Sequence, residues 1–212
     1  MRMPVRVAEW LQDNLHVMAT DDLSAISFAS GESNDGEQWQ LAVDMIYRCL
    51  VSGLINVYAP LEDGLDAIER FVRGLAEVDP FDRSEANWVA IGVWLGPLFH
   101  DTDRGMEISA RYGLVNADAA EVLARGWKQA AENKPECFPV GGFEDANDAL
   151  KHVDSLFNCA AISRAAGWIS SGQSIPLNEA FIEEVEAIFE ECGVPWSCNP
   201  LIPVSYESGS RK

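Results

Sequence analysis

His100, in the segment FHDTD, is followed closely by Asp101, Asp103 and Glu107, so one imidazole and three carboxylates fall within a short stretch. On a helix, positions 100, 103 and 107 share a face, and such a set can hold a divalent metal. The competing expectation is a solvated helix start, in which Asp101 and Asp103 complement the positive end of the helix dipole. We carry the second expectation forward and assign neither a metal ligand nor a catalytic residue. His16 and His152 stand apart from this stretch. The sequence contains no HExxH, calcium loop, paired CxxC or GxSxG elbow. Cys192 and Cys198 have no second cysteine pair near them, which favours buried thiols over zinc. The glycines of GESNDGE and PVGGF do not link a strand to a helix in the dinucleotide pattern, and nearby carboxylates would repel phosphate. No cofactor is expected.

Charge is the strongest functional signal. The 212 residues carry 34 acids against 15 bases, a net charge of −19. Residues 7–47 hold eight acids and residues 165–210 seven more, with no lysine or arginine in either window. Such a chain repels nucleic acid and anionic lipid and attracts cationic surfaces. The expected partner-binding residues are therefore Glu179, Glu183, Glu186 and Glu190 in the C-terminal window, with Asp21, Asp22, Glu32, Asp35 and Glu37 in the N-terminal one. Like charges at helical spacing cost about 0.2–0.5 kcal/mol per pair, a repulsion that a cationic partner would relieve.

The elements that must position these residues are mostly helical. Trp39, Val43, Ile46, Tyr47, Leu50, Leu54, Val57 and Tyr58 recur at helical spacing, from a capping-box-like Asp35 and Gln38 to a stop at Pro60. A second run, Leu61 to Val78, stops at Asp79-Pro80. A third, starting near Asp82 or Ser84, contains Trp88, Ile91 and Leu95. Pro97 is expected to open a further helix that closes at Gly113. Asn116 through Trp127 and Phe143 through Ala160 extend the pattern across a break at 135–142. The last helix starts at Asn178, buries Phe181, Val185, Ile188, Phe189 and Cys192, and stops at Gly193.

An extended, proline-rich tail follows, in which Trp196 pins the chain to its own domain. Only 23–30 and 201–206 look strand-like, so a minor two-stranded element is the most β structure expected. The fold class is all-α, about seven or eight helices in a single domain over residues 1–212, with the tail at 193–212. Five irregularly spaced cysteines, no apolar run at the N-terminus and no membrane-length stretch point to a reducing, cytoplasmic setting.

The segments WLGPLFHDTDRGMEISARYGL and IPLNEAFIEEVEAIFEECGVPWSCNPLIPV resemble the immunity proteins of bacterial contact-dependent inhibition and related polymorphic toxin systems. The resemblance spans about residues 80–204. It implies a non-enzymatic inhibitor that binds a toxin domain delivered by a neighbouring cell, often a basic nuclease, and blocks it sterically and electrostatically. Two alternatives stay open. One is an acidic secretion chaperone or adaptor for an exported effector; the other is an enzyme on an unfamiliar helical scaffold, using the His100 cluster.

Overall fold

A computed structural model describes residues 2–18, 22–29, 35–58, 61, 64–82, 84, 87, 89–114, 176–197 and 200–204. The helices expected within 116–168 and the break at 135–142 lie outside the described residues. Among those described, seven helices and three short strands follow one another in chain order. They are α1 (Val5–Met18), β1 (Leu23–Ser24), α2 (Ala25–Phe28), α3 (Asp35–Val51) and β2 (Ile55–Val57), then α4 (Leu65–Glu77), α5 (Gly92–Leu95), β3 (Leu98–Asp101), α6 (Asp103–Arg111) and α7 (Glu179–Glu191). The protein is predominantly helical with a small antiparallel sheet, and no described helix is long and apolar enough to cross a membrane.

The core is built by the amphipathic helices. α3 buries Trp39, Ala42, Val43, Met45, Ile46, Cys49 and Leu50, and α7 buries Phe181, Ile182, Val185, Ile188 and Phe189. Four rings join four elements edge to face: Trp10 of α1 meets Phe28 of α2, Phe28 meets Phe99 of β3 at 5.6 Å, and Phe99 meets Phe71 of α4. Each such pair adds roughly 0.5–1.5 kcal/mol beyond the area it buries. Capping is local and legible. Asn178 accepts from the Phe181 N–H at 3.1 Å at the start of α7, as its residue type predicts.

The sheet has the order β1-β3-β2 and corrects several expectations. The helical run through Leu54, Val57 and Tyr58 ends early, because Gly53 takes a positive φ and closes α3. The Leu54 N–H then bonds back to the Cys49 carbonyl, and Ile55–Val57 is freed to pair with β3. Gly113 and Gly193 close α6 and α7 with the same pair of bonds. Pro97 opens no helix. Leu98–Asp101 is the central strand, and Thr102 caps α6 by accepting from the Gly105 N–H at 3.1 Å. The third run shrinks to the four residues of α5. Leu23–Ser24 pairs with β3, not with the tail. Gln38 does not cap back onto Asp35; it is buried and donates to the Phe28 carbonyl at 3.1 Å.

The C-terminal strap is held by a polar ladder on α3. Gln40 donates to the Ile202 carbonyl and accepts from the Val204 N–H, while Asp44 accepts from the Leu201 N–H. Arg48, with no exposed surface, donates to the carbonyls of Val194 and Pro195 and to the Asp44 carboxylate, and lies 5.6 Å from the Trp196 ring centre. Arg48 thus holds the strap through two of its carbonyls, and Trp196, partly buried against the core, lies with its ring over the same guanidinium. Removing one member of a buried ion pair costs about 3–5 kcal/mol, because the other charge is left uncompensated. Arg48→Ala is expected to lower stability by about that amount in urea unfolding. It should also expose residues 194–204 to limited proteolysis under native conditions.

Candidate functional site

The carboxylates of α7 do not form one open stripe. Glu179, Glu183 and Glu190 are exposed, but the position between them on that face is the exposed Ala187, and Glu186 is turned inward at 8% exposure. The expectation that Glu186 presents its charge to a partner is corrected. Its side chain accepts the backbone N–H groups of Arg2 (2.8 Å) and Met3 (2.5 Å), closing the N-terminal segment over the helix. Glu186 lies one turn from both Ile182 and Phe189, at the edge of the apolar face, and residues 2–3 complete its burial.

The expectation of unopposed acids is also corrected. Neither window contains a base, yet bases reach both through space. Arg2 pairs with Glu190, Arg6 with Glu37 at 3.5 Å, Arg104 with Glu191 at 3.5 Å, and Arg111 with Glu184 at 2.5 Å. Tyr112 donates to the other Glu184 oxygen at 2.7 Å, and its ring meets Phe181. The Glu184 hydrogen bond and charge raise both the Arg111 guanidinium and the Tyr112 hydroxyl above their ordinary pKa values. At the other end, Asp35 begins α3 half-buried and Glu37 is exposed. Asp21 and Glu32 lie outside the described residues.

The His100 grouping is resolved by strand geometry. His100 and Asp101 belong to β3 and Asp103 to α6, so positions 100, 103 and 107 share no helix face. Successive strand residues point to opposite sides of a sheet. His100 faces outward, its ring 4.6 Å from Tyr58, while Asp101 faces inward against Gly105. No group of three His, Cys, Asp or Glu side chains among the described residues is placed to hold a metal ion. Cys49 and Cys192 are free thiols.

The outer face of the sheet carries what the sequence did not reveal. Tyr58, 57% exposed, lies against His100 and donates from its hydroxyl to Asp22 at 2.9 Å. Leu98, 43% exposed, is its neighbour across the strands, where the Tyr58 N–H bonds to the Leu98 carbonyl at 3.0 Å. An exposed aromatic held in place by a tilted neighbouring ring and a carboxylate is already ordered, so a partner that packs on it loses little further side-chain entropy. The signal was present in the Gly53 break before the alternating INVY segment, but helical spacing across Tyr47, Leu54 and Tyr58 masked it.

Comparison with family models, with curated proteins and with solved structures finds no match to this chain.

The two kinds of glutamate on α7 predict different mutational costs. Glu186→Ala leaves two backbone donors without their acceptor and is expected to lose about 2–4 kcal/mol in chemical denaturation. Glu183→Ala, on the exposed side of the same helix, should stay within about 0.5 kcal/mol of the parent protein.

Proposed function

We propose that this chain is an immunity protein that binds and neutralises a cationic toxin domain by direct blockade, docking through the outer face of the sheet. The observation that carries this is the Asp22–Tyr58–His100–Leu98 surface, which joins a fixed, exposed aromatic and an exposed leucine to a carboxylate. Tyrosines in such settings are the residue type that dominates interface energetics. The charge balance supports it. With 34 acids and 15 bases, an excess of 19 negative charges remains whatever the internal ion pairs. That excess steers a basic domain toward the surface from a distance, and the apolar anchors slow its departure. Where the toxin is a nuclease, the acidic surface competes with phosphate for its basic groove. Glu179 and Glu183 add to the attracting field, while Glu186 acts on the fold.

The test is co-expression with the variable C-terminal domain of a large secreted protein encoded immediately beside this chain. Restored growth, with a complex recovered from the cells, is the expected result; a toxin that stays active in its presence removes the proposal. Within that complex Tyr58→Ala should raise Kd about 30-fold or more, the equivalent of 2 kcal/mol at an interface anchor. The association rate should fall steeply as salt rises, and a rate indifferent to salt would discard electrostatic steering.

A further inference from the structure

Asp101 is the one residue on the inner side of β3 whose chemistry neither the fold nor the docking face uses. Both of its carboxylate oxygens are buried and have no hydrogen-bond partner among the described residues. It sits where three elements meet. Across the ladder it pairs with Ile55 of β2. From α6 the backbone of Gly105 closes over it so tightly that a Cβ there would come within 3.2 Å of the Asp101 Cγ and collide with the Leu54 carbonyl. From α3 the Cys49 thiol faces it: burial pushes that thiol up, and the Asp101 charge adds to the push.

The surrounding charges are engaged elsewhere. Arg48, next to Cys49, is bound to Asp44 and the strap. Arg104 donates to the Ser52 carbonyl at 2.8 Å and pairs with Glu191. Asp103 is exposed at the start of α6. His100 points to the other side of the sheet, and its Nδ1 lies 2.9 Å from the Asp101 backbone oxygen, not from the carboxylate. Leu54 and Ile55 contribute only apolar surface and backbone.

We propose that Asp101 is a proton-operated latch: neutral, its carboxyl seats in the joint between α3, β2 and α6; ionised, it forces that joint open. A carboxylate with no donor and no water contact is costly, whereas a protonated carboxyl of the same shape is tolerated. Two routes relieve the ionised form, entry of water or displacement of the Gly105 turn. Both break the bonds that tie α6 to the end of α3, namely Thr102 N–H to Leu54 carbonyl (3.1 Å) and Thr102 hydroxyl to Gly53 carbonyl (2.6 Å). α6 also carries Arg104 and Arg111, so the latch bears on the clasps to Glu191 and Glu184.

The direction of the effect is fixed by the site. Burial raises the Asp101 carboxyl from its ordinary 3.8 to about 7. Between those values the folded protein holds a proton that the unfolded chain has released, so stability falls as pH rises through the interval and levels off above about 7. His16 works the other way: burial lowers its imidazole pKa, so its contribution grows as pH rises.

The experiment compares the full chain with Asp101→Asn by chemical denaturation between about pH 5 and 8, where one linked proton changes the folding constant by up to about tenfold per pH unit. The ratio of the two folding constants is expected to fall steadily toward high pH, since His16 is common to both proteins and cancels. A ratio independent of pH overturns the proposal. Should the asparagine variant fail to fold, carbon NMR titration of the Asp101 carboxyl in the unmodified chain decides: a midpoint near 7 supports the latch, and one near 4 overturns it. Hydrogen exchange reads the opening itself. Protection of the Thr102 and Gly105 amides, corrected for intrinsic rate, should drop as pH rises and stay well below that of the Phe189 amide in α7, which opens only with the whole fold, and equal protection at all three sites throughout the pH range sinks the idea.

Discussion

A guanidinium with no exposed surface has to be satisfied from every side, and much of this molecule is arranged to satisfy Arg48. Its charge cannot be shed, and taking it out of water costs several kcal/mol unless hydrogen bonds replace the lost hydration. Asp44, one turn earlier on α3, supplies the counter-charge. The Val194 and Pro195 carbonyls both accept from one terminal nitrogen, while Nε has no partner among the described residues, and the carbonyls are delivered only because Gly193 ends α7 and turns the chain back toward α3. The N-cap at Asn178, the length of α7, its glycine stop and the path of the strap therefore form a single dependency. Gln40 continues the ladder by one more turn, holding residues 202 and 204 through backbone groups alone. The strap's route is thus set mainly by polar satisfaction, with Val194 and Ile202 as its buried apolar contacts.

Charge is organised by the same logic of distant segments meeting. α7 carries six glutamates and no base. Arg2, Arg104 and Arg111 come from the far N-terminus and from α6 to meet it. Exposed pairs of this kind contribute about 0–1 kcal/mol each, so their value lies less in stability than in allowing a crowded acidic helix to dock at all. Glu186 makes the point most sharply, because it has become an internal acceptor for two backbone amides. The excess negative charge that remains acts at a distance of about one Debye length, roughly 8–10 Å at ordinary salt, and it does not depend on any single residue of the helix.

Helices with a full apolar stripe were legible from spacing alone. α7 lies where the periodicity of Phe181 to Phe189 put it, α3 starts where the run from Trp39 did but ends at Val51, well short of Pro60, and α4 covers the run from Leu61 to Val78 except its first turn. Asn178, Gly113 and Gly193 marked helix ends correctly, because capping is a local property of one or two residue types, whereas the stop at Gly53 was overridden by apolar spacing that ran on past it. The strands were not legible. β2 and β3 are three and four residues long, too short for alternation to be told from helical spacing, and a strand this brief exists only because its partner is present. Burial of Glu186 was hidden for a related reason: what covers it is 183 residues away along the chain. The outer face of the sheet, the proposed docking face, carries Asp22 from the expected set, but its exposed aromatic, Tyr58, belonged to a segment whose spacing also suited a buried helix.

The short central strand is where the two sides of the molecule are set apart. In sequence, His100 and Asp101 look like neighbours in one cluster. A pleated strand sends them to opposite faces, one against the Tyr58 ring beside Asp22 and the other shut beneath Gly105. Had residues 98–107 been helical, His100 would have joined Asp103 and Glu107 on one face, and neither the ring contact with Tyr58 nor the strand position that buries Asp101 would exist. The backbone conformation of β3 thereby decides the chemistry on each side of it. Outside, the carboxylate of Asp22 finds a phenol and stays solvated. Inside, the carboxyl of Asp101 finds no donor among the described residues, so its own protonation is the cheapest way left to satisfy it. A sheet of three strands, too small to stabilise a domain by itself, instead fixes which acidic groups remain charges and which become switches.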